Sequence, residues 1–174
     1  DFGIGTYLRG LLGALGRLDT ESRYLLFAPR AARDLLASLP ANFSWIEEDA
    51  PGYSWREQWA VGGHLVRHRP DLFHSPHYVL PLRTPTRVVV TIHDLIHLLF
   101  PEFLPSPMAL LYARVLMRRA IRRADRILTV SRATAADLEL HLGVERSRIA
   151  VTWNGVDERF RRRLAPEELR RELS

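Results

Sequence analysis

The chain has 174 residues, 47% of them hydrophobic, which suits one α/β domain, and it lacks cysteine, which excludes disulfides and thiolate metal sites. No apolar run approaches the ~18 residues of a membrane span, and the first residues have neither the basic start nor the apolar stretch of a secretory leader, so the expected compartment is the cytoplasm. The net charge of +5 rests on arginine alone, since lysine is absent; with no interleaved aromatics or known readout module, it reads as a solvated basic surface rather than a nucleic-acid interface.

In chain order, residues 5–18 carry apolar side chains at helical spacing (Tyr7, Leu8, Leu11, Leu12, Leu15, Leu18). Residues 24–28 (YLLFA) read as a short buried strand, 31–38 as a helix and 43–47 as a second strand. A helix is expected over 55–68 despite the Gly62-Gly63 pair, then a strand over 72–74 and a loop over 79–85 limited by Pro81 and Pro85. Residues 88–92 (VVVTI) form a nearly continuous β-branched run, the pattern of a central parallel strand. Pro101, Pro105 and Pro107 break the chain before a long helix over 108–123, whose expected apolar stripe is Met108, Leu111, Tyr112, Val115, Leu116 and Ile121. A strand over 126–130, a helix over 133–142 ended by Gly143 and a last strand over 149–153 complete the series. The alternation predicts an α/β fold: a Rossmann-like, doubly wound parallel sheet with helices on both faces.

In such sheets ligands bind beyond the carboxyl ends of the strands, and several expected strands end on residues with chemical capability. His93 and Asp94 follow the strongest strand; the histidine suits a contact to a sugar hydroxyl or phosphate, and Asp94 suits orienting it or accepting a hydroxyl, against the plainer reading of a helix cap beside a half-buried histidine. The turn Gly3-Ile4-Gly5-Thr6 opens a helix, where free N–H groups and the helix dipole suit a phosphate, although an ordinary tight turn explains it equally. His74, His77 and Tyr78 form a second polar group; Pro76 disfavours helical geometry between the two histidines and no paired carboxylate accompanies them, so a pocket lining is expected and a metal is not. Ser131 is most simply an N-cap with a hydroxyl that can also face the crevice, Asn154 begins a turn, and Glu102 is a loop acceptor for a ligand hydroxyl. His97, one helical turn after His93, is expected to pack beneath the loop. Arg114, Arg118, Arg119, Arg122, Arg123 and Arg126 load one helix and its end, which reads either as a solvated face or as an attachment to anionic headgroups.

Taken in order, GIGTYLRGLL at 3–12, DLFHSPHYVLP at 71–81, VVVTIHDLIHLLFPE at 88–102, RRADRILTVSRATAADL at 122–138 and IAVTWNGVDERF at 149–160 resemble the N-terminal half of retaining glycosyltransferases of the GT-B fold, family four, whose members include bacterial mannosyl- and related transferases. The resemblance implies two Rossmann-like domains across a cleft, the first mostly for acceptor and the second for a nucleotide-sugar donor. It sets Gly3 and Gly5, with Thr6, against the donor diphosphate, His93 near the transferred sugar with Asp94 holding its loop, and Asn154 to Asp157 near the crossing to the second domain. His77, Tyr78 and Glu102 become acceptor-side expectations, with Ser131 and Asn154 lining the sugar pocket. No cofactor or metal is implied beyond the nucleotide sugar, and the expected acceptor is a glycan or lipid-linked acceptor of bacterial polysaccharide or glycolipid synthesis; peripheral contact with the inner membrane face is an expectation that rests on the arginine-loaded helix instead.

Against that pattern the expectation is a fragment: a first strand lacking before Gly3, residues 1–157 as an incomplete N-terminal domain, and 158–174 as the start of the linker to a C-terminal domain. The chain alone is then expected to be inactive and marginally stable. A non-catalytic ligand- or membrane-surface-binding module is the alternative. A dinucleotide-dependent dehydrogenase fits worse, because Leu8 stands where a third glycine is needed and Asp19 is too close to the turn for the usual ribose acid.

Overall fold

The structure is a computed structural model that describes residues 3–50, 54–104 and 106–156, with Trp55 placed by its backbone alone. The predicted alternation is present. Strand β1 (Tyr24–Ala28) pairs in parallel with β2 (Phe43–Glu47), and β3 (Leu72–Ser75), β4 (Arg87–Ile92), β5 (Arg126–Thr129) and β6 (Ile149–Val151) form a parallel sheet in that order. Helices α1 (Gly3–Leu18), α2 (Arg33–Ala37), α3 (Trp55–His68), α4 (Ile96–Leu99), α5 (Pro107–Arg123) and α6 (Arg132–Leu142) supply the crossovers. This is a Rossmann-like α/β arrangement with helices on both faces.

Among the described residues no ladder joins the two sheets. Contacts from α1 and α3 connect them instead. The N-terminal part of α1 reaches β4, where the Tyr7 hydroxyl lies 3.3 Å from Thr91 Oγ1, while Gly16 near its other end packs on Pro40 and Phe43. From α3, His64 stacks on Phe27 of β1, and Gly62 lies against the backbone of Arg83. A Cβ on Gly62 would stand 3.3 Å from the Arg83 carbonyl oxygen, so Gly62 permits this close approach, whereas a Cβ on Gly63 would meet nothing within 4 Å.

The core belongs to the four-stranded half. Val88, Val90 and Ile92 of β4 are buried together with Ile127, Met117, Ala120, Leu138 and Leu95. At the opposite edge from the site, Asp125 ties β4 to the start of β5: its Oδ2 accepts from the Val88 N–H at 2.7 Å, and its own N–H donates to the Val88 carbonyl at 2.8 Å. Serine caps set three helix starts, Ser54, Ser106 and Ser131 each accepting a backbone N–H three residues on. Gly143 closes α6 at φ 63°, the left-handed conformation that favours glycine.

Several boundaries differ from the sequence expectation. Gly3, Gly5 and Thr6 lie within helix α1 (Gly3–Leu18) rather than in a turn before it. The proline-broken stretch before α5 contains the single turn α4 and a 3-10 turn at Pro101–Phe103. The largest correction concerns α5. Its buried face is Ala113, Leu116, Met117, Ala120 and Ile121, while Met108, Leu111 and Val115 of the expected stripe are exposed. Ala113 and Ala120 sit on that face between Leu116, Met117 and Ile121, leaving room for these larger side chains to pack inward. Asp157 and the expected linker over 158–174 lie outside the described residues.

Candidate functional site at the carboxyl edge of the sheet

His93 follows β4 directly and is half-buried. Its Nε2 lies 3.1 Å from the Pro76 carbonyl oxygen. A carbonyl only accepts, so Nε2 carries the proton, and in the neutral ring Nδ1 holds the lone pair. The ring meets Tyr7 of α1 edge to face, with centroids 5.0 Å apart. The backbone behind it is fixed as well: Thr134 Oγ1 of α6 donates to the His93 carbonyl at 3.1 Å, and Ser131 holds Thr134 by 2.9 Å between hydroxyls and 3.0 Å to the backbone N–H. Ser131 is therefore a helix cap that also braces the β4 turn.

Below this turn, Thr91 Oγ1 sits between His74 Nε2 at 2.8 Å and the Tyr7 hydroxyl at 3.3 Å. Burial, then the neighbouring His93, push the His74 imidazole below the usual histidine value. His77 is displaced further, down to about 4, by burial first and then by His93 and His97, with Asp94 opposing. Tyr78 packs on His77, with ring centroids 3.9 Å apart, and its hydroxyl lies 3.0 Å from His97 Nδ1. Ser75 Oγ is 2.7 Å from the His77 carbonyl oxygen and 3.0 Å from that of Val79, fixing the loop that carries them. Burial thus favours the uncharged form of His74 and His77.

The other expected residues distribute around it. Asp94 is exposed and its Oδ1 accepts from the Ile96 N–H at 3.0 Å, so it caps the turn after His93 and makes no hydrogen bond to that ring. Gly3 and Thr6 are exposed and Gly5 half-buried, and the Tyr7–His93 contact brings their helix end to this edge. A Cβ on Gly3 would meet nothing within 4 Å, so no packing contact among the described residues demands glycine there. Glu102 and Asn154 are exposed and, among the described residues, make no hydrogen bond to the cluster. Asp19 instead holds the turn before β1, accepting from the N–H groups of Glu21 and Ser22 at 3.0 Å and from the Tyr24 hydroxyl at 2.6 Å. Among the described residues, no group of three or more His, Asp or Glu side chains is arranged to hold a metal.

Sequence reasoning missed Tyr7, Thr91 and Thr134 as parts of the site. Their partners lie 84, 17 and 41 positions away, and nothing local marks them. It also missed Arg132, whose guanidinium sits 5.7 Å from the ring centroid of the exposed Trp153, beyond the ends of β5 and β6. His97 does pack under the loop, through its bond with Tyr78.

Residues 3–160 match glycosyltransferase family 4, and the chain belongs to that family. The fold is similar to that of the Anabaena protein Alr3699/HepE, whose crystal structure was solved in complex with UDP, at 20% identity and a TM-score of 0.59. That match covers 99% of this chain and 46% of the other, so the chain spans about half the length of that relative. No curated protein matches.

Proposed function

We propose that the chain supplies the acceptor-side half of a retaining GT-B enzyme that moves a hexose from a nucleoside-diphosphate sugar to a hydroxyl acceptor. The acceptor is a glycan or lipid-linked glycan of bacterial polysaccharide or glycolipid synthesis, and the work is done at the cytoplasmic side of the membrane. Family membership supports the class of reaction, and a UDP-bound neighbour of the same fold supports the nucleotide sugar. One observation carries the assignment of this site. The half-buried ring of His93 is held by the Pro76 carbonyl and Tyr7 at the carboxyl end of β4, beside the N-terminal end of α1.

In this reading Nδ1 of His93 accepts from a hydroxyl of the transferred sugar and orients it. Asp94 keeps the following turn closed through the Ile96 N–H. The first turns of α1 at Gly3, Gly5 and Thr6 face the diphosphate, stabilising the negative charge that develops as it leaves. His77 and Tyr78, with Glu102, Ser131 and Asn154 around them, line the acceptor and sugar pocket. A second domain beyond residue 157 holds most of the nucleotide, and no metal or cofactor takes part.

The test is His93→Ala in the full-length enzyme, assayed with a panel of nucleotide sugars. A fall in kcat of at least about a hundredfold with little change in KM is expected for loss of a positioning contact at the reacting sugar. Near-normal turnover would remove His93 from the site. Nucleotide-sugar binding with no transfer in the parent protein would favour a non-catalytic binding module.

A further inference from the structure

The amino edge of the four-stranded sheet, opposite His93, carries a second concave site. A cleft of about 430 Å³ is lined by Val66 and Arg69 at the end of α3, Pro70 before β3, and Arg83, Pro85 and Thr86 before β4. Strand β4 runs from Arg87 to Ile92, so the cleft lies roughly 20 Å from His93. Its walls are fixed. Thr86 Oγ1 donates to the Pro70 carbonyl at 2.5 Å, Arg123 Nη2 donates to the carbonyls of Thr84 and Thr86, and Gly62 lets the Arg83 backbone lie close on α3.

Two guanidinium groups of this cleft have no task in the fold. Arg69 and Arg83 are exposed, and neither has a hydrogen-bond or ion-pair partner among the described residues. Residues 66–87 hold four arginines, at 67, 69, 83 and 87, and one carboxylate, Asp71, which amounts to three of the chain's five net positive charges. The nearby carboxylate of Asp125 is already taken, by the Val88 N–H at 2.7 Å and by Arg123 at 3.7 Å.

Among the described residues, Arg69 is also the one non-glycine residue at positive φ. It closes α3 at φ 45° and ψ 54°, with its N–H donating to the Leu65 carbonyl. Glycine closes a helix in this conformation without strain, as Gly143 does for α6. The helix dipole does not call for a cation at this position either, because Arg67 and His68 already occupy the last turn. What the strained residue adds beyond glycine is a guanidinium group at the cleft.

We infer that this cleft binds a small phosphomonoester, at a site separate from the one at the carboxyl edge. Arg69 from the helix and Arg83 from the loop suit the two negative charges and the several oxygens of a terminal phosphate. A single carboxylate would leave one of the two cations unmatched. Val66, Pro70 and Pro85 give the rest of a small molecule an apolar footing, and the cleft has the size of a small-molecule site. Such a ligand bridges the end of α3 and the loop that begins with His77 and Tyr78. The inference goes beyond the proposed reaction, since a ligand in the cleft does not reach the reacting sugar.

The experiment is calorimetric titration of the full-length protein, at low ionic strength, with phenyl phosphate, inorganic phosphate and benzoate. Phenyl phosphate should bind about tenfold more tightly than inorganic phosphate, through the apolar walls, and at least about tenfold more tightly than benzoate. Arg83→Gln and Arg69→Gly should each weaken its binding by at least about tenfold. Arg114→Gln, at an exposed arginine that does not line the cleft, should leave it unchanged. Arg69→Gly should melt at or above the temperature of the parent, because glycine removes the strain along with the side chain. Absence of phenyl phosphate binding by the parent would overturn the inference, as would affinity that survives both arginine changes. So would benzoate bound as tightly as phenyl phosphate, or a lower melting temperature for Arg69→Gly, which would return Arg69 to the fold. The titration is read without donor or acceptor, so its result is independent of the proposed transfer.

Discussion

His77 carries its functional setting in its protonation. With burial and two neighbouring histidines, it holds a proton only near pH 4 when folded, against about 6.5 when unfolded. Between those values the unfolded chain binds the extra proton and the folded chain does not. The stabilising contribution is therefore complete above about pH 6.5 and is lost as pH falls towards 4. His74 shifts in the same direction for the same leading reason, burial. Denaturant unfolding at a series of pH values should show a loss on the order of 2 kcal/mol across that window. His77→Phe should flatten the slope, and an unchanged slope would place His77 in a more polar setting than this one. His93 and His77 were legible as candidates because each follows an expected strand. What makes them a rigid site was not, since Tyr7 and Thr134 arrive from distant elements and only the folded chain brings them together.

At the scale of elements, α5 shows what periodicity reads well and what it does not. Its extent was legible to within a residue, because serine and proline mark its start and an arginine pair its end. Its inward face was not, because two stripes of the helix are apolar. Choosing between them depends on how closely Ala113 and Ala120 let it approach the sheet, which composition does not state. The arginines divide in the same way. Arg119 donates to the Leu80 carbonyl at 2.7 Å and the Pro81 carbonyl at 2.6 Å, clamping the loop after Tyr78 onto α5, and burial lowers its pKa. Leu80 is nearly fully buried, so its carbonyl has little access to water in compensation. Arg119→Ala should cost about 2–3 kcal/mol in unfolding free energy. Arg119→Lys should recover only part of that, because an ammonium lacks the paired geometry. Arg114→Ala, at an exposed site with no partner among the described residues, should change stability by no more than about 0.5 kcal/mol. Equal losses at Arg119 and Arg114 would refute the clamp.

Across the whole molecule, stability should be distributed as unevenly as burial. The continuous core lies around β4, β5, α5 and α6, whereas α1 contributes no buried residue and every residue of β1 is only half-buried. No ladder joins β1 to β3 among the described residues, where side chains and close contacts of α1 and α3 connect the two sheets: Tyr7 on Thr91 and His93, His64 on Phe27, and Gly62 on the backbone of Arg83. The Tyr7 contact is only partly buried. The helix and strand pairs of the first half should then open without unfolding the second. Hydrogen exchange under native conditions should find amides of β1 and β2 exchanging about a hundredfold or more faster than those of β4 and β5. Tyr7→Phe should widen that gap by loosening α1 while leaving the β4 and β5 amides as slow as before. The site sits on the seam itself, with His93 on the stable sheet and Tyr7 on the labile helix. A ligand that engages both the first turn of α1 and His93 would therefore slow exchange in the first half more than in the second. Uniform protection across both sheets in the unliganded chain would show that they already unfold as one unit and that the seam is closed by more than these contacts.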